Sequence, residues 1–188
     1  MSQARTLTQK ELKQLMSFNA PKRHGLRDRT MLLFTHWCGA RVGEVAALRY
    51  CDVVGADAQI LAEVRLAPEQ TKGKHARTIF LPDKLRKELA TYVAAFPAKQ
   101  PTQPLFYTQK RDGWSANTLA QHFLHIYRAA GLHGASSHTG RRTFITSLAS
   151  KGVGVRVLMS LAGHRNISST QFYIDINDTM KRAAVELI

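Results

Sequence analysis

The sequence contains no apolar run near the roughly 20 residues that a membrane span needs. Its opening, MSQARTLTQKEL, has no apolar stretch like the core of a secretory signal. The membrane and export classes are left without support, and a cytoplasmic, nucleoid-associated protein is expected. Cysteine is scarce: Cys38 and Cys51 are the only two, at a spacing that fits no zinc finger and requires no disulfide. Both are expected as reduced thiols in or near the core. Acidic residues number 13 against 27 Lys and Arg, and they form no carboxylate cluster that would hold magnesium. No metal or other cofactor is expected. His122 and His125 share a helical face, but no third ligand accompanies them, so a surface or interface role is expected. Internal repeats and low-complexity tracts are also missing.

What is present bounds the chain from the other side. A length of 188 residues suits one domain, and a hydrophobic content of 44% is ordinary for a folded core. The net charge of +14 and pI near 10.3 point to a polyanionic partner. Nucleic acid is the first candidate and an acidic membrane surface the second. The basic residues are spread through segments that also carry core residues, so the basic surface belongs to the fold.

The periodicity predicts a mainly helical α+β domain with a small antiparallel sheet. Thr8, followed three residues later by Glu11, is a capping box ahead of Leu12, Leu15 and Met16. Residues 1–7 are expected as a flexible leader, 8–176 as the main domain and 177–188 as a C-terminal tail helix. LRDRTMLLFTHWC reads as a helix that Gly39 breaks, and VGEVAAL as a short new one, which sets Arg41 at a helix junction. QILAEVRL and ARTIFL read as strands joined by a polar turn at TKGKH. LPDKLRKELATYVAAF and NTLAQHFLHIYRAAG read as helices, with a connector from Pro97 to Gly113 between them. Later helices are expected from Thr139 to Ser150, through Leu158 and Leu161, and from Thr170 to Tyr173. Trp37 and Trp114 are expected in the core, and Phe172 as an anchor for the helix beside it.

Several polar residues gather by order and spacing. His138 and Arg141, three apart, share a face at a helix start, an end that attracts anions through free N–H groups and the helix dipole. An arginine there adds a bidentate donor suited to phosphate. Arg41 begins another helix. Lys72 and Lys74 lie at a hairpin tip. His164 follows a glycine in a turn, and Tyr173 lies nine positions later. A tyrosine, with an ordinary pKa near 10, is a poor nucleophile unless its proton is removed and its target activated. Clustered cations supply that activation for a phosphodiester without a metal.

The segments GARVGEVAAL, TKGKHARTIFL, HTGRRTF and LAGHRNISSTQFYI, in this order, resemble the catalytic domain of the tyrosine recombinases, the phage integrase family. The match runs from about Thr8 to Ile174, and AGHRNISSTQFY is its most specific block. The resemblance implies a tyrosine-recombinase catalytic-domain fold and a site-specific recombinase acting on double-stranded DNA in integration, excision or inversion. It also implies four protomers on synapsed DNA, a monomer when free, and an accessory DNA-bending protein. Arg41 and Arg141 would clamp the scissile phosphate, with His138 and His164 assisting, and Tyr173 would be the nucleophile. Lys72 would protonate the leaving 5′ oxygen, with Lys74 as competitor, and Glu44 would orient the site. Lys74, Arg77, Arg142 and Arg165 are candidates for DNA contacts.

Two positions depart from the family pattern. Gly140 stands where a hydrophobic residue is usual and is expected to loosen the helix start. Arg142 stands where histidine is common and adds a charge available to DNA. Members typically carry a core-binding domain ahead of the catalytic one. The chain here is expected to be a small single-domain member, with an excised domain as the alternative. The tail, with Met180, Ala183, Ala184, Leu187 and Ile188, would dock on a neighbouring protomer or on its own domain. Two rivals share the chemistry or the fold: a type IB topoisomerase-like relaxing enzyme, and a DNA-binding module without cleavage.

Overall fold

A computed structural model of the chain describes residues 4–71, 73–108, 113–171, 173, 185 and 186. Lys72, Phe172 and most of the expected tail helix lie outside the described residues.

Helix α1 (Gln9–Asn19) starts at the expected capping box. The Thr8 side chain accepts from the Glu11 N–H, and the Glu11 carboxylate accepts from the Thr8 N–H at 2.8 Å. Arg5 and Leu7, just ahead of the helix, are attached to the domain. Arg5 pairs with Glu11, Leu7 is buried, and the Leu7 N–H donates to Thr143 Oγ1 at 2.9 Å. Four consecutive apolar residues, Met31, Leu32, Leu33 and Phe34, have no exposed surface, and they belong to α2 (Gly25–Cys38). A helix apolar on every side must be surrounded. Accordingly α2 packs against α1, α3 (Val42–Ala47), α5 (Asp83–Ala95) and α7 (Thr139–Ala149). The buried hydroxyls of Thr30 and Thr35 are satisfied within α2, donating to Leu26 O and Leu32 O.

The sheet is a pair of antiparallel strands, β1 (Glu63–Leu66) and β2 (Arg77–Phe80), with Val64 opposite Ile79. Both are shorter than the pattern suggests. Ile60 instead bridges Val54 beyond α4 (Tyr50–Val53), a short helix that periodicity does not reveal. A 3-10 turn at Pro68–Gln70 leads to the hairpin tip. Helix α6 (Ala116–Ala129) packs against α3, followed in sequence after α7 by α8 (Val155–Ala162) and α9 (Ile167–Gln171). Helix α9 ends two residues before Tyr173, which sits in the turn beyond it with its N–H donating to Thr170 O at 3.0 Å. No described helix is long and apolar enough to cross a membrane.

Two expectations change. Cys38 is buried and Cys51 is exposed, so the thiols do not share the core. Gly140 does not loosen α7. It lies inside the helix where α7 crosses α2, and a Cβ there would stand 2.1 Å from Thr35 Oγ1. Only glycine permits that approach.

Candidate active site

The site is built around the C-terminal end of α8. Gly163, at φ 60°, terminates the helix in the left-handed conformation that glycine adopts without steric cost. The Gly163 N–H then donates to Ser160 O and the His164 N–H to Met159 O, the paired bonds of a Schellman motif. His164 is thereby fixed one residue past the cap. The last carbonyls of the helix still need donors. Arg141 and Arg77 both donate to Ala162 O, and Arg41 donates to Gly163 O at 3.0 Å.

Each arginine arrives from a different element. Arg41 precedes α3 because Gly39, at φ 63°, ends α2 and turns the chain. Its N–H donates to Glu44 Oε2 at 2.7 Å and its guanidinium to Glu44 Oε1 at 2.9 Å. Arg141, in the first turn of α7, is 5% exposed and also donates to Gly39 O at 2.7 Å. Arg77 reaches in from β2, with Nε 3.6 Å from Glu44 Oε1. Two guanidiniums, those of Arg41 and Arg77, lie against one buried carboxylate, Arg141 adds a third cation bonded only to carbonyls, and the site keeps a positive excess. Burial first, then Arg41 and Arg77, push the Arg141 pKa down to about 9. Burial, then Arg141, Arg41 and Arg77, push His164 down to about 4, so its imidazole is neutral at pH 7. The same crowding favours any anion that enters.

His164 Nδ1 lies 2.9 Å from Thr170 Oγ1, a contact that orients the ring. The Tyr173 ring stacks on His164 with centroids 5.9 Å apart, and the Arg142 guanidinium lies 5.7 Å from the Tyr173 centroid. A cleft of about 530 Å³ opens over this region, lined by Arg41, Thr71, Arg77, Gly163, His164 and Arg165. On the other side of Arg41 a second cleft, about 590 Å³, is lined by Glu44, Gln70, Asn117 and His138.

Arg41, Glu44, Arg141, His164 and Tyr173 thus belong to one connected network. His138, the N-cap of α7, is exposed and shares the second cleft with Arg41. Arg141 does not line an open cradle at the start of α7 with it, but turns inward to the carbonyls of Gly39 and Ala162. Arg77, one of the candidates for a DNA contact, has a side chain only 10% exposed and lines the first cleft. Lys74 is exposed in the hairpin turn at φ 51°, and Arg165 is exposed at the cleft mouth. Thr170 and the carbonyls of Gly39, Ala162 and Gly163 escaped the sequence reading, since nothing local marks them as partners. His122 contacts Asp28 at 3.1 Å and stacks on Trp114, while His125 is exposed.

The Phage integrase family model matches residues 5–180. The chain belongs to this family. A tyrosine recombinase of Pseudothermotoga lettingae is 30% identical over 177 residues, covering 93% of this chain and 57% of that protein. Tyrosine recombinase XerC of Rhodospirillum centenum is 31% identical over 156 residues, covering 81% and 43%. The chain therefore spans about half the length of the curated relatives it matches. Among solved structures, XerA recombinase superposes with a TM-score of 0.77 at 22% identity, over 99% of this chain and 66% of that one. The Tn1549 transposon integrase, in complex with circular intermediate DNA, gives 0.76 at 18% identity, over 99% and 67%. These structural likenesses establish a shared fold, that of phage integrase family catalytic domains.

Proposed function

We propose that the chain is the catalytic domain of a site-specific DNA recombinase that cleaves and rejoins strands through Tyr173. The observation that carries this reading is the convergence of Arg41, Arg141, His164 and Tyr173 at the end of α8, in a site with excess positive charge. A phosphodiester is the anion that suits it. The Tyr173 hydroxyl oxygen attacks phosphorus, the bond to the 5′ oxygen breaks, and a 3′-phosphotyrosyl bond takes its place. The phenolic proton is lost and the departing 5′ oxygen gains one, so the strand end leaves as a hydroxyl. The linkage keeps the bond energy, and attack by a 5′ hydroxyl reverses the step without ATP.

In this reading Arg41 and Arg141 hold the nonbridging oxygens, with His164 and His138 hydrogen-bonding beside them. Loss of one such arginine costs on the order of a thousandfold or more in phosphoryl transfer. Lys72 is the proposed general acid and Lys74 its competitor. Glu44 orients Arg41 rather than reacting. Double-stranded DNA is the partner and four protomers bridging two sites the working assembly. The likeness to structures described as DNA complexes, the Tn1549 integrase and XerH bound to difH substrate, supports that partner.

The test uses labelled, nicked duplexes covering the DNA that flanks the chain's own coding sequence. Wild type is expected to give a detergent-resistant protein–DNA adduct and Tyr173→Phe none. DNA binding by both proteins without any adduct would instead mark a binding module. Site-independent relaxation of plasmids would mark a topoisomerase.

A further inference from the structure

We propose that Arg142 is a positioning residue for Tyr173, holding the nucleophile's ring in register with the phosphate clamp; this rests on Tyr173 being the nucleophile. Tyr173 lies outside α9, and a single described backbone bond, to Thr170 O, holds it there. The placement of its ring depends on side chains. Among the described residues, the His164 imidazole, stacked at an interplanar angle of 21°, and the Arg142 guanidinium lie against it.

The contact from Arg142 links two parts of the reaction. Arg141 and Arg142 are neighbours on α7, and their side chains diverge. Arg141 turns inward to the carbonyls of Gly39 and Ala162, while Arg142 reaches the Tyr173 ring. Consecutive Cα atoms stand a fixed 3.8 Å apart. One rigid helix therefore carries both the group that would grip the phosphate and the group that holds the attacking ring. A displacement of α7 would move both together, so their relative placement is preserved. Reactions of this kind lose rate steeply when reacting atoms shift by about 1 Å.

The charge of Arg142 contributes as well. A guanidinium near a ring is attracted to its electron-rich face, and more strongly once the phenolic proton has gone. The contact is then tighter on the way to the transition state than in the resting site, the condition under which it raises the rate. Arg142 is half-buried, so replacing it leaves the core intact.

The experiment compares wild type, Arg142→Lys, Arg142→Gln and Tyr173→Phe on the same nicked duplexes. It reads the single-turnover rate of adduct formation at saturating protein, and separately the protein concentration for half-maximal DNA shift. Arg142→Gln is expected to lose about tenfold in saturated rate, in the range of a cation–ring contact, with half-maximal binding unchanged. Arg142→Lys, which keeps a cation, is expected to recover most of the rate. A Gln variant as fast as wild type at saturation overturns the proposal, and weakened binding alone would make Arg142 a DNA contact. Equal losses in Lys and Gln would overturn the cationic role. No adduct with wild type, or an adduct that persists in Tyr173→Phe, would overturn the nucleophile assignment itself and the proposal with it.

Discussion

At the scale of single residues, two histidines are kept neutral by their surroundings. His36 is buried on α2, with Nε2 3.0 Å from the Tyr127 hydroxyl, and burial pushes it down to about 3. His164 is pushed down to about 4 by burial and then by the arginines around it. A histidine depressed in the folded state supports folding fully above its unfolded value of 6.5, and the support is lost as pH falls below that value. For the fully buried His36 this costs up to about 1.4 kcal/mol per pH unit of acidification, and solvent screening makes the share of the partly exposed His164 smaller. Denaturant unfolding between pH 7 and pH 5 is expected to show stability falling with acidity. His36→Gln, which retains a hydrogen-bonding group but has nothing to titrate, should flatten that fall. An unchanged slope in the variant would remove His36 as its source. Glu44 is a carboxylate set inside the fold. With 1% exposure it is tolerable only because Arg41 and Arg77 lie against it.

At the scale of elements, the crossing of α2 and α7 decides whether the site can assemble. The α7 backbone approaches Thr35 so closely that a Cβ at position 140 would meet its hydroxyl at 2.1 Å and its Cβ at 2.7 Å. Gly140→Ala should therefore destabilise the protein by about 1–3 kcal/mol, the usual cost of overpacking, although alanine is the better helix former. Unfolding midpoints of Gly140→Ala in the wild-type and Thr35→Gly backgrounds measure the coupling. The penalty should be smaller where the Thr35 side chain is missing. Because Arg141 follows Gly140 directly, any outward shift of α7 would also pull its guanidinium from Ala162 O and Gly39 O.

At the scale of the whole molecule, the net charge of +14 acts as a single field on any nucleic acid. Neutralising six or more phosphates would make affinity fall on the order of a thousandfold between about 50 and 200 mM salt. Gel shifts with one labelled duplex across that range measure the slope. A flat response would show that the basic surface does not face DNA. The substitutions at Tyr173 and Arg142 should leave the slope unchanged, since a role in chemistry or positioning neutralises no phosphate.

Much of this was legible from residue order alone. The capping box at Thr8, the glycine stops at Gly39 and Gly163, and the strand pattern before and after TKGKH are local, and local rules located them. The order of Arg41, Arg141, His164 and Tyr173 likewise marked residues that the fold brings together near the end of α8. The structure decided matters that depend on elements far apart in the chain. Arg77 became an internal brace, because β2 lies beside the end of α8 and its side chain is drawn to the carbonyls there. Gly140 proved to be a packing requirement, because only the crossing of α2 and α7 reveals Thr35 beneath it. Arg142, a candidate for a DNA contact, has its guanidinium 5.7 Å from the Tyr173 ring centroid. Spacing along a chain reports which residues share a turn or a face. Which carbonyl, carboxylate or ring a long cationic side chain reaches is settled by helices that meet only in the folded molecule.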